Sequence, residues 1–189
     1  MAKSTKLAHV VYSTTRFVEM IDWYKKVFEA QVVYRNSVLA FLTYDDEHHR
    51  FAIFNYSAFN AQANQFKCPA PLGVNHVGYS FATVGDLLKN YEHLKQLGIT
   101  PYWSVHHGIT LSFYYRDPDG NRTEFQVNSF PTASAAKAFM KTSVFAGNPI
   151  GVRIDPDKLL SRYNSGEPEE QLLALPDGPV SQIPPEHGL

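Results

Sequence analysis

Cysteine is nearly absent from this sequence. Of 189 residues only Cys68 is one, which excludes a disulfide within the chain and a zinc site built on thiolates. No apolar run is long enough to span a bilayer, and the first residues, Met1 to Lys6, lack the apolar core of a signal peptide. No basic run marks a nucleic-acid footprint, since 17 Lys and Arg nearly balance 18 Asp and Glu. These absences imply a soluble, globular, cytoplasmic protein with neither nucleic acid nor membrane as a partner. What the chain does have is an aromatic share of 14% and eight histidines, with adjacent pairs at His48-His49 and His106-His107. Its length suffices for one domain with a real core or for two small modules sharing one.

Tyr114 to Val127 reads as a β-hairpin. Pro118-Asp119-Gly120 supplies the turn, proline presetting φ and glycine taking the left-handed position. A loop centred on Asp119 sets Arg116 opposite Arg122 and Tyr114 opposite Glu124, so that the phenol and the carboxylate share one face. Phe113, Tyr115, Phe125 and Val127 occupy the other face, suited to packing on a helix. A mid-strand carboxylate in apolar surroundings needs a partner. Three readings fit: a buried salt bridge, a simple surface position, or a metal ligand with a hydroxyl beside it.

In chain order, Leu7–Tyr12 reads as a strand containing His9, and Ser13-Thr14-Thr15 as cap chemistry for a helix over Phe17–Phe28. Strands are expected at Val32–Tyr34, Val38–Tyr44 and Phe51–Tyr56. Residues 58–72 read as a connector. The pattern then recurs: a strand over Val74–Phe81 with His76, a helix capped by Thr83 and running to Leu97, and Gly98 as its stop. Strands follow near Ile99–Trp103, Ile109–Arg116 and Arg122–Val127. His9-Val10-Val11-Tyr12-Ser13 matches His76-Val77-Gly78-Tyr79-Ser80, so the chain holds an internal repeat. The fold class is therefore α+β: two βαβββ modules, 1–57 and 73–128, forming a shared barrel-like cleft. The C-terminal extension, 129–189, is helical and extended and must pack on the body or on a partner subunit. Within it, Thr132 caps a short helix to Met140, Asn148–Val152 is a turn followed by an apolar patch, and Asp155-Pro156 starts a helix to Tyr163. Beyond Leu175 the chain is expected to be extended or mobile.

These residues resemble the vicinal oxygen chelate superfamily, in which paired βαβββ modules hold a metal in their cleft. The resemblance covers Leu7 to Val127. Carried over residue by residue, it implies His9, His76 and Glu124 as metal ligands. Two histidines and one carboxylate leave open coordination positions, which suits non-haem Fe(II), with Mn, Zn or Ni as alternatives. Glyoxalase-type members carry a further glutamate in the last strand of the first module; here Ala52 aligns with Glu124, and Phe54 does if the register slips by two. The run from His106-His107-Gly108 through Tyr114 to Glu124 is similar to the signature of type I extradiol ring-cleaving dioxygenases, and of their small one-domain members in particular. That likeness implies a catechol-type aromatic diol and O2 as substrates, with His106 or His107 as acid–base and Tyr114 as hydrogen-bond donor. It implies a homodimer as well. The alternatives on the same scaffold are a metal-dependent lyase or isomerase and a non-catalytic aromatic-ligand binder. His48 and His49, in a polar turn, are expected to be solvated.

Overall fold

Two stretches of alternating apolar residues, each led by a strand and a helix, decide the architecture. The computed structural model describes residues 7, 9–47, 49–58 and 74–187. The connector expected over 58–72 lies outside them apart from Ala58, as does His48. The chain divides into two compact units. The first is Met1–Ala70 with the hairpin turn Asp117–Gly120; the second is Pro71–Arg116 with Asn121–Leu189. No described helix is long and apolar enough to cross a membrane.

The first unit runs β1 (Val10–Thr14), α1 (Phe17–Val27), β2 (Gln31–Arg35), β3 (Leu39–Thr43) and β4 (Phe51–Asn55), with sheet order β1-β4-β3-β2. The apolar stripe of α1, Met20, Ile21, Tyr24 and Val27, is buried, as are Ala40, Leu42, Phe51 and Ile53 at alternate sheet positions. Tyr24 and Phe51 join the two layers, with ring centroids 4.6 Å apart. Two local expectations fail. β1 begins one residue after His9 instead of containing it. The cap of α1 is Arg16, with no side-chain cap bond. Parallel pairing of Ser13 with Phe54 and Thr14 with Asn55 keeps the hydroxyl residues in the strand, and Thr14 Oγ1 accepts from the Arg16 amide at 2.8 Å.

The second unit repeats the plan with β5 (His76–Ser80), α2 (Val84–Gln96), β6 (Trp103–His106), β7 (Thr110–Arg116) and β8 (Arg122–Asn128). Thr83 Oγ1 caps α2 by accepting from the Asp86 amide at 3.0 Å. Leu87, Leu88, Tyr91 and Leu94 of the helix are buried with Phe113, Tyr115, Phe125 and Val127 of the hairpin, and Tyr91 lies 5.5 Å from Phe113 between ring centroids. The strand expected over Ile99–Trp103 begins only at Trp103. Pro101 has no amide to give a ladder, and the pairing Trp103↔Tyr114 sets the start. The hairpin register is Tyr114↔Glu124 and Arg116↔Arg122, with Gly120 at φ +85° in the turn.

After Asn128 the chain forms α3 (Ala133–Phe139), α4 (Ser143–Gly147), β9 (Val152–Arg153), α5 (Pro156–Asn164) and α6 (Glu169–Leu172). The apolar patch after the Asn148 turn is a strand: β9 pairs with β6 and makes the order β5-β8-β7-β6-β9. The Asn148 side chain builds the turn, accepting from the Gly151 amide at 2.7 Å and donating to the Gly151 carbonyl at 3.1 Å. The stretch beyond Leu175 is tied down where it passes this turn. Val180 bridges Val152, and the Ser181 amide donates to the Gly151 carbonyl at 2.8 Å.

Gly151 sits at φ +98°, and a Cβ there would lie 2.1 Å from the His106 carbonyl oxygen. Replacement by alanine combines backbone strain with a backbone collision. Gly151→Ala is expected to cost about 3 kcal/mol or more of stability, read as a lower urea midpoint.

Candidate active site

The sheet of the second unit buries polar side chains on the face away from α2. Alternation along β7 and β8 puts Ser112, Tyr114 and Glu124 there, and parallel pairing of β5 with β8 brings Gly78 opposite Glu124, two residues on from His76. Gly78 leaves the space: a Cβ at this position would stand 3.2 Å from Glu124 Oε2. The pairing Val11↔Ala52 in the first unit matches Gly78↔Glu124 in the second, so Ala52 holds the place of the missing glutamate.

Glu124 is 7% exposed. Its Oε1 accepts from the Tyr114 hydroxyl at 2.9 Å, and its Oε2 lies 3.2 Å from His76 Nε2. Burial pushes the carboxyl pKa up, but hydrogen bonds from His76, Ser112 and Tyr114 outweigh it and hold the group below the usual carboxylate range. Burial first, then the Glu124 charge and hydrogen bond, push the Tyr114 phenol far above its ordinary value. It keeps its proton and acts as a donor.

His107 Nε2 lies 3.0 Å from the Tyr114 hydroxyl, and its Nδ1 is 2.6 Å from the Ile150 carbonyl. A carbonyl can only accept, so the Nδ1–H donates there, and the single Tyr114 proton lies between two acceptors, Glu124 Oε1 and His107 Nε2. His106 faces the other way. Its Nε2 donates to the Leu173 carbonyl at 2.9 Å and its Nδ1 accepts from the Gly108 amide at 3.0 Å. Alternation explains the split: β6 sends Trp103 and Val105 to the Tyr114 face and His106 to the opposite one. The structure thus brings His76, His107, Tyr114 and Glu124 together and leaves His106 out.

His9 lies in the first unit, exposed, with its ring 4.6 Å from that of His49. His49 is not simply solvated as expected, since it also stacks on Phe41 at 4.5 Å. Among the described residues no group of three or more His, Cys, Asp or Glu side chains is gathered to hold a metal.

Sequence reasoning missed one residue entirely. His187, 3% exposed, sits with its ring centroid 5.0 Å from Tyr114 and 5.6 Å from His76. Its only signal was being a histidine.

A family model described as the Glyoxalase/Bleomycin resistance protein/Dioxygenase superfamily matches residues 6–125. The chain belongs to this superfamily. It is 42% identical to biphenyl-2,3-diol 1,2-dioxygenase 2 of Rhodococcus globerulus, over 91% of this chain and 88% of that protein. To biphenyl-2,3-diol 1,2-dioxygenase 3 of the same organism it is 38% identical, over 91% and 89%. Among solved structures, the glyoxalase/bleomycin resistance protein/dioxygenase of Alicyclobacillus acidocaldarius superposes with a TM-score of 0.51, covering 68% of this chain and 95% of that one. At 17% identity, this likeness speaks for the fold alone.

The superfamily implies a divalent metal, and the donors present fit one. The Asn75 amide donates through Nδ2 to the His187 carbonyl at 3.0 Å, so its Oδ1 faces His76 Nδ1 at 2.9 Å. The His76 Nδ1–H is thereby committed, and a neutral ring points the Nε2 lone pair at a carboxylate oxygen. Two facing lone pairs need a cation between them, which a metal ion or the proton of an imidazolium supplies. Neighbouring ligands about 2.1 Å from a metal stand about 3 Å apart, close to the 3.2 Å seen here. A ligand histidine whose other nitrogen is held by a carbonyl is the usual support of a metal site.

Burial lowers the pKa of His106 and of His107, and lowers that of His187 to about 4. Each binds a proton in the unfolded chain near pH 6.5 but not in the fold, so stability is full above that pH and is lost as pH falls through it. Per histidine the slope is at most about 1.4 kcal/mol per pH unit. Urea midpoints of metal-free protein from pH 8 to 5 are expected to fall, and His106→Gln to fall less steeply.

Proposed function

We infer that this chain is an Fe(II)-dependent extradiol dioxygenase that opens a catechol-type aromatic diol beside its hydroxyls with O2. The observation that carries this reading is the 42% identity, spread over 91% of the chain, to a biphenyl-2,3-diol 1,2-dioxygenase. The substrate is a biphenyl-2,3-diol-like catechol, and both oxygen atoms of O2 enter the opened product.

His76 and Glu124 would hold the iron, and His9 would be its third ligand. The bound iron would supply a Lewis-acidic centre that favours the deprotonated diol and exchanges electrons with O2. Three protein ligands leave room for a bidentate diol, consistent with Ala52 at the place of a further carboxylate. Asn75 orients the His76 ring through its Nδ1–H. His107 serves as acid–base: its Nδ1–H is anchored on Ile150, and its Nε2, 3.0 Å from the Tyr114 hydroxyl on the polar face, takes and returns a proton. Tyr114, whose proton is held firmly, donates to a substrate oxygen or passes a hydrogen bond between Glu124 and His107. Ser112 and the Tyr114 hydroxyl keep Glu124 ionised. His106 has no part in proton transfer, because it lies on the helix side of the sheet, away from Tyr114 and Glu124. A cytoplasmic homodimer built of modules 1–57 and 73–128 and an extension 129–189 belongs to the same proposal.

Anaerobic loading with Fe(II), followed by a panel of mono- and bicyclic catechols in air, tests it. Stoichiometric oxygen uptake with a yellow muconic semialdehyde-type product is expected. No uptake across the panel by the iron-loaded protein rejects the assignment. Glu124→Ala is expected to lose iron and activity together. Tyr114→Phe, which removes a partner of a ligand, should reduce kcat/KM by about 10–100-fold, measured by oxygen electrode at equal iron content.

A further inference from the structure

The C-terminal end of the described chain is threaded along the polar face that carries Tyr114 and Glu124. Trp103 Nε1 donates to Ser181 Oγ at 3.0 Å, and Ile183 packs against Trp103, Val105 and Tyr114. The Arg122 Nε donates to the Glu186 carbonyl at 2.8 Å, and Arg116 donates to the same oxygen. A turn over Pro185–His187 then sets the last described residue among aromatic rings. The His187 ring centroid is 4.8 Å from Trp103, 5.0 Å from Tyr114, 5.6 Å from His76 and 6.3 Å from Tyr102. Its Nδ1 is held by the Tyr102 hydroxyl at 3.0 Å. Among the described residues Nε2 makes no hydrogen bond, so one polar atom of a buried ring is left for a ligand. The backbone takes part as well, because the His187 carbonyl fixes the Asn75 amide that in turn fixes His76.

We propose that His187 is a substrate-binding residue of the catechol site, its Nε2 hydrogen-bonding a diol oxygen while its ring forms part of the wall against which the diol's aromatic ring lies. The proposal rests on the dioxygenase reading of the site. It follows from three features together: a ring buried against the candidate ligand His76 and against Tyr114, a free Nε2 on that ring, and backbone carbonyls held by Arg116, Arg122 and Asn75 so that the ring's place is fixed. A hydroxyl or its oxide suits Nε2 in either tautomer, since an imidazole nitrogen either donates or accepts. Aromatic walls of Trp103 and Tyr102 suit an aryl ring.

The test uses the full chain loaded with Fe(II), with catechol and biphenyl-2,3-diol as probes, and compares His187→Ala with His187→Gln. Oxygen-uptake kinetics give KM and kcat, and anaerobic calorimetry gives Kd for the same diols. His187→Ala is expected to raise KM and Kd by about tenfold, the value of one hydrogen bond, with kcat changed less than about threefold. His187→Gln, which keeps a polar atom at similar reach, should recover most of the affinity. Equal KM and Kd in wild type and His187→Ala would overturn the proposal while leaving the dioxygenase reading intact. A wild type that binds diol without consuming oxygen would overturn that reading, and Kd would still decide the role of His187. A fall in iron content or thermal midpoint in both variants, without separation of KM from kcat, would make the residue a structural prop and overturn the proposal. If His187→Ala does not fold, His187→Gln against His187→Phe decides on the same readouts.

Discussion

A carboxylate placed in the middle of a buried strand governs how the second unit is built. Among the described residues Glu124 forms no ion pair with Arg or Lys; its partners are an imidazole and hydroxyls. Keeping such a group charged at 7% exposure requires several donors converging on it. The hairpin supplies Tyr114 directly across the ladder. The parallel strand β5 supplies His76, and the glycine at position 78 keeps the space between them clear. Each of these positions is a consequence of strand register, so the site is as rigid as the sheet that carries it.

Around that pair lies a second ring of fixed groups. Ile150 holds His107, Asn75 holds His76, and the His187 carbonyl holds Asn75. Two of these three supports, Ile150 and His187, come from the chain after Asn128. That extension therefore does more than cover apolar surface. It adds β9 to the sheet, turns at Gly151, and returns along β6 to the neighbourhood of His76. The scaffold of strands places the functional groups, and the extension locks their orientation.

Much of this was legible beforehand. The repeat of His9–Ser13 in His76–Ser80 disclosed two modules, and Pro118-Asp119-Gly120 fixed the hairpin register that makes Tyr114 and Glu124 neighbours. The failures have physical causes. The strand before His106 was expected over Ile99–Trp103, and Pro101, which has no amide to give a ladder, displaced its start to Trp103. The hydroxyl residues before α1 suited a cap, but pairing with β4 claimed them first. His187 was beyond reach because its position is set by hydrogen bonds to residues far away in sequence, Arg122, Asn75 and Tyr102, and no local pattern records such contacts. Composition alone made the final stretch look unanchored.

The two-sidedness of β6 carries a consequence for how such a site tolerates change. His106 and His107 are consecutive imidazoles facing opposite layers, one bonded to the Leu173 carbonyl and the other to the Tyr114 hydroxyl. After deletion of Ser104 or Val105, Trp103 and His107 would stand an odd number of residues apart and point to opposite faces, and His106 would take the face of Trp103. A neighbouring histidine is thus no simple substitute, because the Ile150 carbonyl that orients the His107 ring is placed for that one position.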